Sequence, residues 1–188
     1  MATDSSSKAL QVGSTVAKVD LQVQRALQDI KERLRTASFA TVTPTPAAPF
    51  HSNRIEYQRV IGYGAGGVEW GPPEAMELEL EPREVLDGAD NDGDGLVDEC
   101  QIVLIENPGL AAQRRSVVCR GVRAALEGET LGNGADDNFN GLEDEPGFAL
   151  EFDGSRVTVW LSLERTDPSG QPIVRTLSST LNLREVDP

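Results

Sequence analysis

The chain is poor in the residues from which most catalytic and recognition sites are built. It has one histidine, two cysteines and two tryptophans, and aromatic residues make up only 5% of its 188 positions. The lone His51, beside a proline-rich stretch, supplies neither a histidine-based triad nor a zinc shell. No nucleophile elbow is present among the many Ser, Thr and Asp residues, so an enzyme is not expected. Bases are scarce, 17 Lys and Arg against 31 Asp and Glu, for a formal net charge of −14. Nucleic-acid binding needs a basic face toward phosphates, and that class is excluded. No run approaches the roughly 18 apolar residues of a membrane-spanning helix. The polar Met1–Lys8 does not read as a secretory signal. Hydrophobic residues still reach 38%, enough for the core of a single domain over residues 1–188.

The acid is concentrated rather than spread. Residues 74–100 hold eleven acids and one base, and residues 131–153 hold seven acids and no base, while the rest of the chain sums to +3. Two short acidic windows are how metal loops look, not how a general solubility charge looks.

Residues 8–42 carry the clearest periodicity. Leu10, Val12, Val16, Val19, Val23, Ala26, Leu27, Ile30, Leu34 and Ala37 recur mostly at steps of three and four, with charged residues between them. Nothing breaks Ser14–Thr41, so the spacing predicts one amphipathic helix of about 25–30 residues, roughly 40 Å long. Its stripe suits packing on a sheet, with a coiled-coil seam as the alternative. Prolines 44, 46 and 49 then predict a stiff connector over residues 43–53.

Short alternating runs follow: Arg54–Val60, Ala75–Glu81, Gln101–Ile105, Ser116–Cys119, Phe148–Phe152, Arg156–Leu163 and Ile173–Leu183. Ser116–Glu127 is ambiguous between strand and short helix. Asp167, Pro168, Ser169 and Gly170 separate the last two runs, which predicts a hairpin. Trp70 and Trp160 read as core or sheet-packing residues. Gly62, Gly64 and Gly67 match the spacing of a dinucleotide loop, but Trp70-Gly-Pro-Pro follows instead of a helix, so the segment reads as a flexible loop. Helix first and hairpins after is an α+β order, with the long helix packed on an antiparallel sheet.

The strongest signal is an internal repeat. Asp87-Gly-Ala-Asp-Asn-Asp-Gly-Asp-Gly-Leu-Val-Asp-Glu99 returns 46 residues later as Asn133-Gly-Ala-Asp-Asp-Asn-Phe-Asn-Gly-Leu-Glu-Asp-Glu145, with seven of thirteen positions identical. Differences at ligand positions are Asp-to-Asn exchanges, which keep an oxygen and drop a charge. The spacing is that of an EF-hand-like loop, with Asp90, Asp92 and Asp94 at positions 1, 3 and 5, Gly95 at the turn and the Leu96 carbonyl next. Asp98 or Glu99 closes the shell. The second loop maps as Asp136, Asn138, Asn140, the Leu142 carbonyl, and Asp144 or Glu145. Position 12, the closing Glu of an EF-hand, is Gln101 in one loop and Gly147 in the other, so these loops are shorter and no sensor-type opening is expected. All-oxygen ligands select Ca2+ over zinc or copper, and two calcium sites are expected, the first tighter because it has more carboxylates.

Cys100 follows the first loop directly and Cys119 lies nineteen residues on. A bridge between them would contribute roughly 3 kcal/mol under the chain-entropy model. A disulfide and millimolar calcium both fit an extracytosolic compartment. Two buried free thiols are the other reading.

The order of long amphipathic helix, proline-rich connector, antiparallel sheet and terminal hairpin resembles the periplasmic part of a type IV pilin-like protein, most closely a minor pseudopilin of a type II secretion system. Val16–Ala37 is similar to the amphipathic half of a pilin spine helix, and Arg54–Tyr63 and Val157–Leu183 to its sheet strands. Asp87–Glu99 and Glu129–Glu145 resemble the acidic metal-binding motif of bacterial surface proteins and the thrombospondin type 3 calcium loops. The resemblance implies a non-catalytic, calcium-stabilised subunit of a secretion or pilus-like filament, with other pilin or pseudopilin subunits as partners. It further implies a periplasmic or extracellular location, with a membrane anchor only through an N-terminal segment that this chain does not contain. The rival reading is a free-standing extracellular calcium-binding or adhesion module, which predicts no exposed apolar stripe over Leu10–Val23.

Overall fold

The structure, a computed structural model, describes residues 2–44 and 50–185, with side chains from residue 10 onward. Residues 45–49 of the proline-rich connector lie outside the described residues, and its end forms β1 at His51–Ser52. Helix α1 runs Ala2–Leu34 and is followed by a 3-10 turn at Phe39–Thr41. Eight strands follow: β1 His51–Ser52, β2 Arg54–Gly64, β3 Gly67–Leu80, β4 Cys100–Glu106, β5 Arg114–Val122, β6 Phe148–Asp153, β7 Arg156–Thr166 and β8 Pro172–Asn182. They form one antiparallel sheet in the order β1-β6-β7-β5-β4-β3-β2, with β8 paired along the whole of β7. The architecture is α+β, one long helix on an eight-stranded sheet. No helix among the described residues is long and apolar enough to cross a membrane.

The helical stripe divides in two. From Val19 onward it is core: Val19, Val23, Ala26, Leu27, Ile30 and Leu34 are buried against Ile55, Tyr57, Met76, Ile102, Phe148, Val159 and Leu161 of the sheet. Burying each such aliphatic side chain contributes about 1.5–3 kcal/mol. Asp20 pairs with Arg175 of β8 at 2.8 Å, fixing the helix along the sheet's face. N-terminal to Val19 the stripe emerges, with Leu10 76% and Val12 36% exposed.

The helix ends earlier than residue 42, at Leu34. The Thr36 hydroxyl donates to the Arg33 carbonyl (2.8 Å) and the backbone tightens there, Thr36 N–H to Arg33 O at 3.2 Å. The following segment is drawn onto the outer edge of β2, with Ala37 opposite Arg59 and Thr43 opposite Glu56. Sheet hydrogen bonds therefore outcompete further helix, and they cover an edge that would otherwise stand open.

The glycine-rich segment is a tight hairpin turn rather than a loose loop. Gly64 pairs with Gly67 across Ala65 and Gly66, and Gly67 adopts φ +106°, a conformation glycine accepts without strain. Pro72 and Pro73 lie in β3 just before its pairing with β4 begins at Glu74, so they remove no donor that β4 needs. The ambiguous segment resolves as strand to Val122. Trp70 and Trp160 are half-buried, and Trp160 donates to Glu151 at 3.2 Å, so both pack on the sheet rather than within the core.

The predicted β7–β8 hairpin is present. The Asp167 carboxylate accepts from the backbone N–H of Ser169 and Gln171 (2.7 and 2.9 Å) and from the Ser169 hydroxyl, and these bonds hold its carboxyl below the usual range. The Cys100–Cys119 bridge is absent, and both thiols are free and buried. Across β4 and β5, Cys100 faces Val122 and Cys119 faces Ile102. A β-bulge lies between these two pairs, so the cysteines are offset by two residues along β4 and three along β5 and do not face each other.

Candidate metal centre

Both acidic loops connect adjacent parts of the sheet. The first leaves β3 at Leu80 and returns at Cys100, its ends held by the Glu81 N–H donating to the Glu99 carbonyl (3.0 Å). The second joins β5 to β6, its ends held by the Leu126 N–H donating to the Glu145 carbonyl (2.9 Å). These anchors explain the missing closing residue of the EF-hand pattern. Gln101 already belongs to β4, where its amide donates to Glu79. Gly147 leads into β6 so close to the residue that follows β5 that a Cβ there would clash with the Arg123 carbonyl oxygen.

Within the first loop the aspartates fold the backbone around themselves. Asp90 accepts from the N–H groups of Gly93 and Gly95 (2.6 and 2.9 Å), Asp92 from Asp94 (3.1 Å) and Asp94 from Leu96 (2.9 Å). Gly93 and Gly95 sit at φ +84° and +91°, so the turn needs glycine there. The Leu96 side chain is buried and plugs the loop's exit.

Two groups of carboxylates converge in this loop, Glu84 with Asp90 and Asp92, and Asp92 with Asp94 and Glu99. In each group the ligand oxygens lie within 4.8 Å of one another. Asp92 belongs to both. Glu99 is 3% exposed, and neither of its carboxylate oxygens has a hydrogen-bond donor. Burial, with the charges of Asp94, Glu84 and Asp92, pushes its carboxyl up to about 7. Glu84, also buried, accepts through Oε1 from the N–H groups of Asn91 and Asp92 (3.1 and 3.0 Å), while its Oε2 has no donor.

The structure separates the two candidates for closing the shell. Asp98, at φ +53°, turns its carboxylate back to the loop's start, where it accepts from the N–H groups of Asp87 and Gly88 (2.9 and 3.0 Å). Asp98 is a staple, and Glu99 is the residue that faces the acidic cluster.

The second loop repeats most of these bonds, though Asp136 accepts from the residue matching Asp94 rather than from the one matching Gly93. Asp136 accepts from Asn140 and Gly141 (3.0 and 2.8 Å), Asn138 from Asn140 (3.0 Å) and Asn140 from Leu142 (2.9 Å). Asp144, at φ +57°, staples the N–H groups of Asn133 and Gly134 (both 3.0 Å). Leu142 is buried, and Glu145 is fully buried with Oε2 lacking a donor. Glu129 plays the part of Glu84, accepting from the Asn138 N–H (2.9 Å) through Oε1 with a buried, donorless Oε2. His51 is tied to this loop, its Nε2 2.8 Å from the Glu143 carbonyl oxygen.

Neither Glu84 nor Glu129 is among the metal ligands expected from the sequence. The thirteen-residue repeat begins three positions after Glu84 but four after Glu129, because Gly132 is an extra residue. Allowing that one-residue gap aligns Glu84-Val-Leu86 with Glu129-Thr-Leu131, which is the signal that identifies them. The first loop thus offers five carboxylates, and the second offers three with two amides, Asn138 and Asn140.

The two carboxylate groups of the first loop could hold a metal ion, and hard oxygen donors of this kind suit Ca2+; among the described residues no three carboxylates of the second loop converge in the same way. No protein-family model matches the chain, and the searches of curated proteins and of solved structures gave no match either.

Proposed function

We propose that the chain is a non-catalytic, calcium-stabilised structural subunit of a pilin- or pseudopilin-like filament, working in the periplasm or outside the cell. The observation that carries the calcium reading is the set of buried glutamates, Glu84, Glu99, Glu129 and Glu145, each with a carboxylate oxygen that no donor meets. A buried carboxylate without a partner costs several kcal/mol unless a cation compensates it. Glu84, Asp90, Asp92, Asp94 and Glu99 hold the first ion with the Leu96 carbonyl, and Glu129, Asp136, Asn138, Asn140 and Glu145 the second with the Leu142 carbonyl. The ion supplies positive charge to loops that otherwise repel themselves, and so orders one end of the sheet.

The subunit reading draws on the helix. Its half from Val19 to Leu34 is committed to the chain's own core, whereas Leu10 and Val12 present apolar surface that the sheet does not cover. A free-standing module predicts the opposite, a stripe wholly covered by its own sheet. Neighbouring subunits packing on the exposed half of α1 account for it. Calorimetric titration with Ca2+ tests the first part, with binding at the tighter, first site lost on Glu99→Gln substitution. Site-specific cross-linking from Val12 in the source cell tests the second. Products joining this helix to a like helix support the filament, and an absence of helix-to-helix products overturns it.

A further inference from the structure

The two loops differ at one atom that decides how each behaves without an ion. In the first loop Asp94 has only acceptor oxygens, and Glu99 beside it has no donor at either oxygen. In the second loop the matching residue is Asn140. Its Oδ1 accepts from the Leu142 N–H at 2.9 Å, the same bond Asp94 makes to Leu96, and this fixes which way the amide points. Its Nδ2 therefore faces inward, and it donates to Oε1 of the fully buried Glu145. The charge that an ion would meet is already met in part by an N–H group.

We infer that Asn140 is a built-in substitute for the cation, so that the second loop holds its shape without calcium and fills only at higher calcium than the first. This rests on the calcium reading above and adds to it a two-stage response, in which the first loop needs its ion to fold and the second takes its ion as an option. For Ca2+ to reach Glu145, the Asn140 N–H bond must be surrendered, and that exchange weakens the second site. The smaller carboxylate count acts in the same direction, since ligand charge is one determinant of affinity in such loops.

The test is a Ca2+ titration of the 15N-labelled full chain followed by NMR, with the Gly95 and Gly141 amides reporting on the two loops and hydrogen exchange measured in EDTA. In the wild type, Gly95 should respond at roughly tenfold lower calcium than Gly141 or less. In EDTA the Asn138, Asn140 and Leu142 amides should be protected, and those of Asp92, Asp94 and Leu96 should not. Asn140→Asp should abolish protection of the second loop in EDTA and bring its midpoint down toward that of the first. Asn140→Ala, which removes the donor without adding charge, should abolish the protection without tightening calcium binding. Equal midpoints in the wild type, or undiminished protection in both variants, would overturn the inference while leaving calcium binding intact. No response of either glycine to calcium would overturn the calcium reading itself.

Discussion

At the scale of single residues, an ionisable group buried without a partner marks a site more sharply than an exposed cluster does. Glu99 is the clearest case. Replacing it by Gln removes the charge and keeps the shape, so Glu99→Gln should stabilise the protein in EDTA by about 1–3 kcal/mol and lose most of the gain that calcium confers. Urea unfolding at pH 8 in EDTA and in calcium checks both signs. Phe139 makes a second case. It stands where the first loop has Gly93, at φ +61° and 90% exposed, so it has the backbone cost of a left-handed residue with almost no packing in return. Phe139→Gly should raise stability by up to about 1 kcal/mol, the released strain being partly offset by chain entropy. A fall in stability would show that the ring is held by contacts after all. The thiols give a third. Burial pushes Cys100 up to about 12 and Cys119 up to about 11, the nearby Glu99 and Glu81 reinforcing the first and Arg165 opposing the second. Thiolate is the reactive form, so iodoacetamide at pH 8 should modify neither cysteine in the folded chain and both in urea.

The residues of the site were legible from the sequence to different depths. Asp90, Asp92 and Asp94 were legible because their spacing is set by a coiling backbone, which sequence records directly. Which of Asp98 and Glu99 turns inward was not, because it depends on a left-handed φ at Asp98 that sequence does not disclose. Glu84 and Glu129 lie upstream at unequal distances, so a gapless comparison passes over them.

At the scale of elements, α1 divides into a half that folds the protein and a half that does not. Ile30→Ala, in the buried half, should cost about 2–5 kcal/mol. Leu10→Ala should change stability by less than about 0.5 kcal/mol, because its side chain is mostly in water. Equal losses at the two positions would mean that the exposed half is part of the core. The helix and the alternating strands were readable because burial of one face imposes a period on the sequence. The helix end at Leu34 was not, since it is fixed by β2 hydrogen bonds from residues 37–43. The β2–β3 hairpin was hidden because glycine carries no periodic signal, and Gly64 and Gly67 serve equally as loop or turn until their partner strands are known.

At the scale of the whole molecule, the sheet places both acidic loops among its strand connections, one between β3 and β4 and the other between β5 and β6. The helix and sheet share one apolar core that includes Val23, Ile30, Phe148 and Leu161. Outside it, the loops 81–99 and 123–147 carry net charges of −7 and −6, a concentration that bound calcium would relieve. The fold class was therefore legible from the periodicities alone, while the sheet order, with β5 and β6 sharing one side of β7, depends on long-range pairings that no local pattern encodes.

The most direct test of the central claim is thermal unfolding of the full chain followed by calorimetry, in excess EDTA and in millimolar Ca2+. Binding to the folded state alone should stabilise by about 2.7 kcal/mol per site at calcium a hundredfold above Kd, so the account predicts a melting temperature clearly higher in calcium, rising with its concentration. Superimposable melts in the two conditions would contradict it.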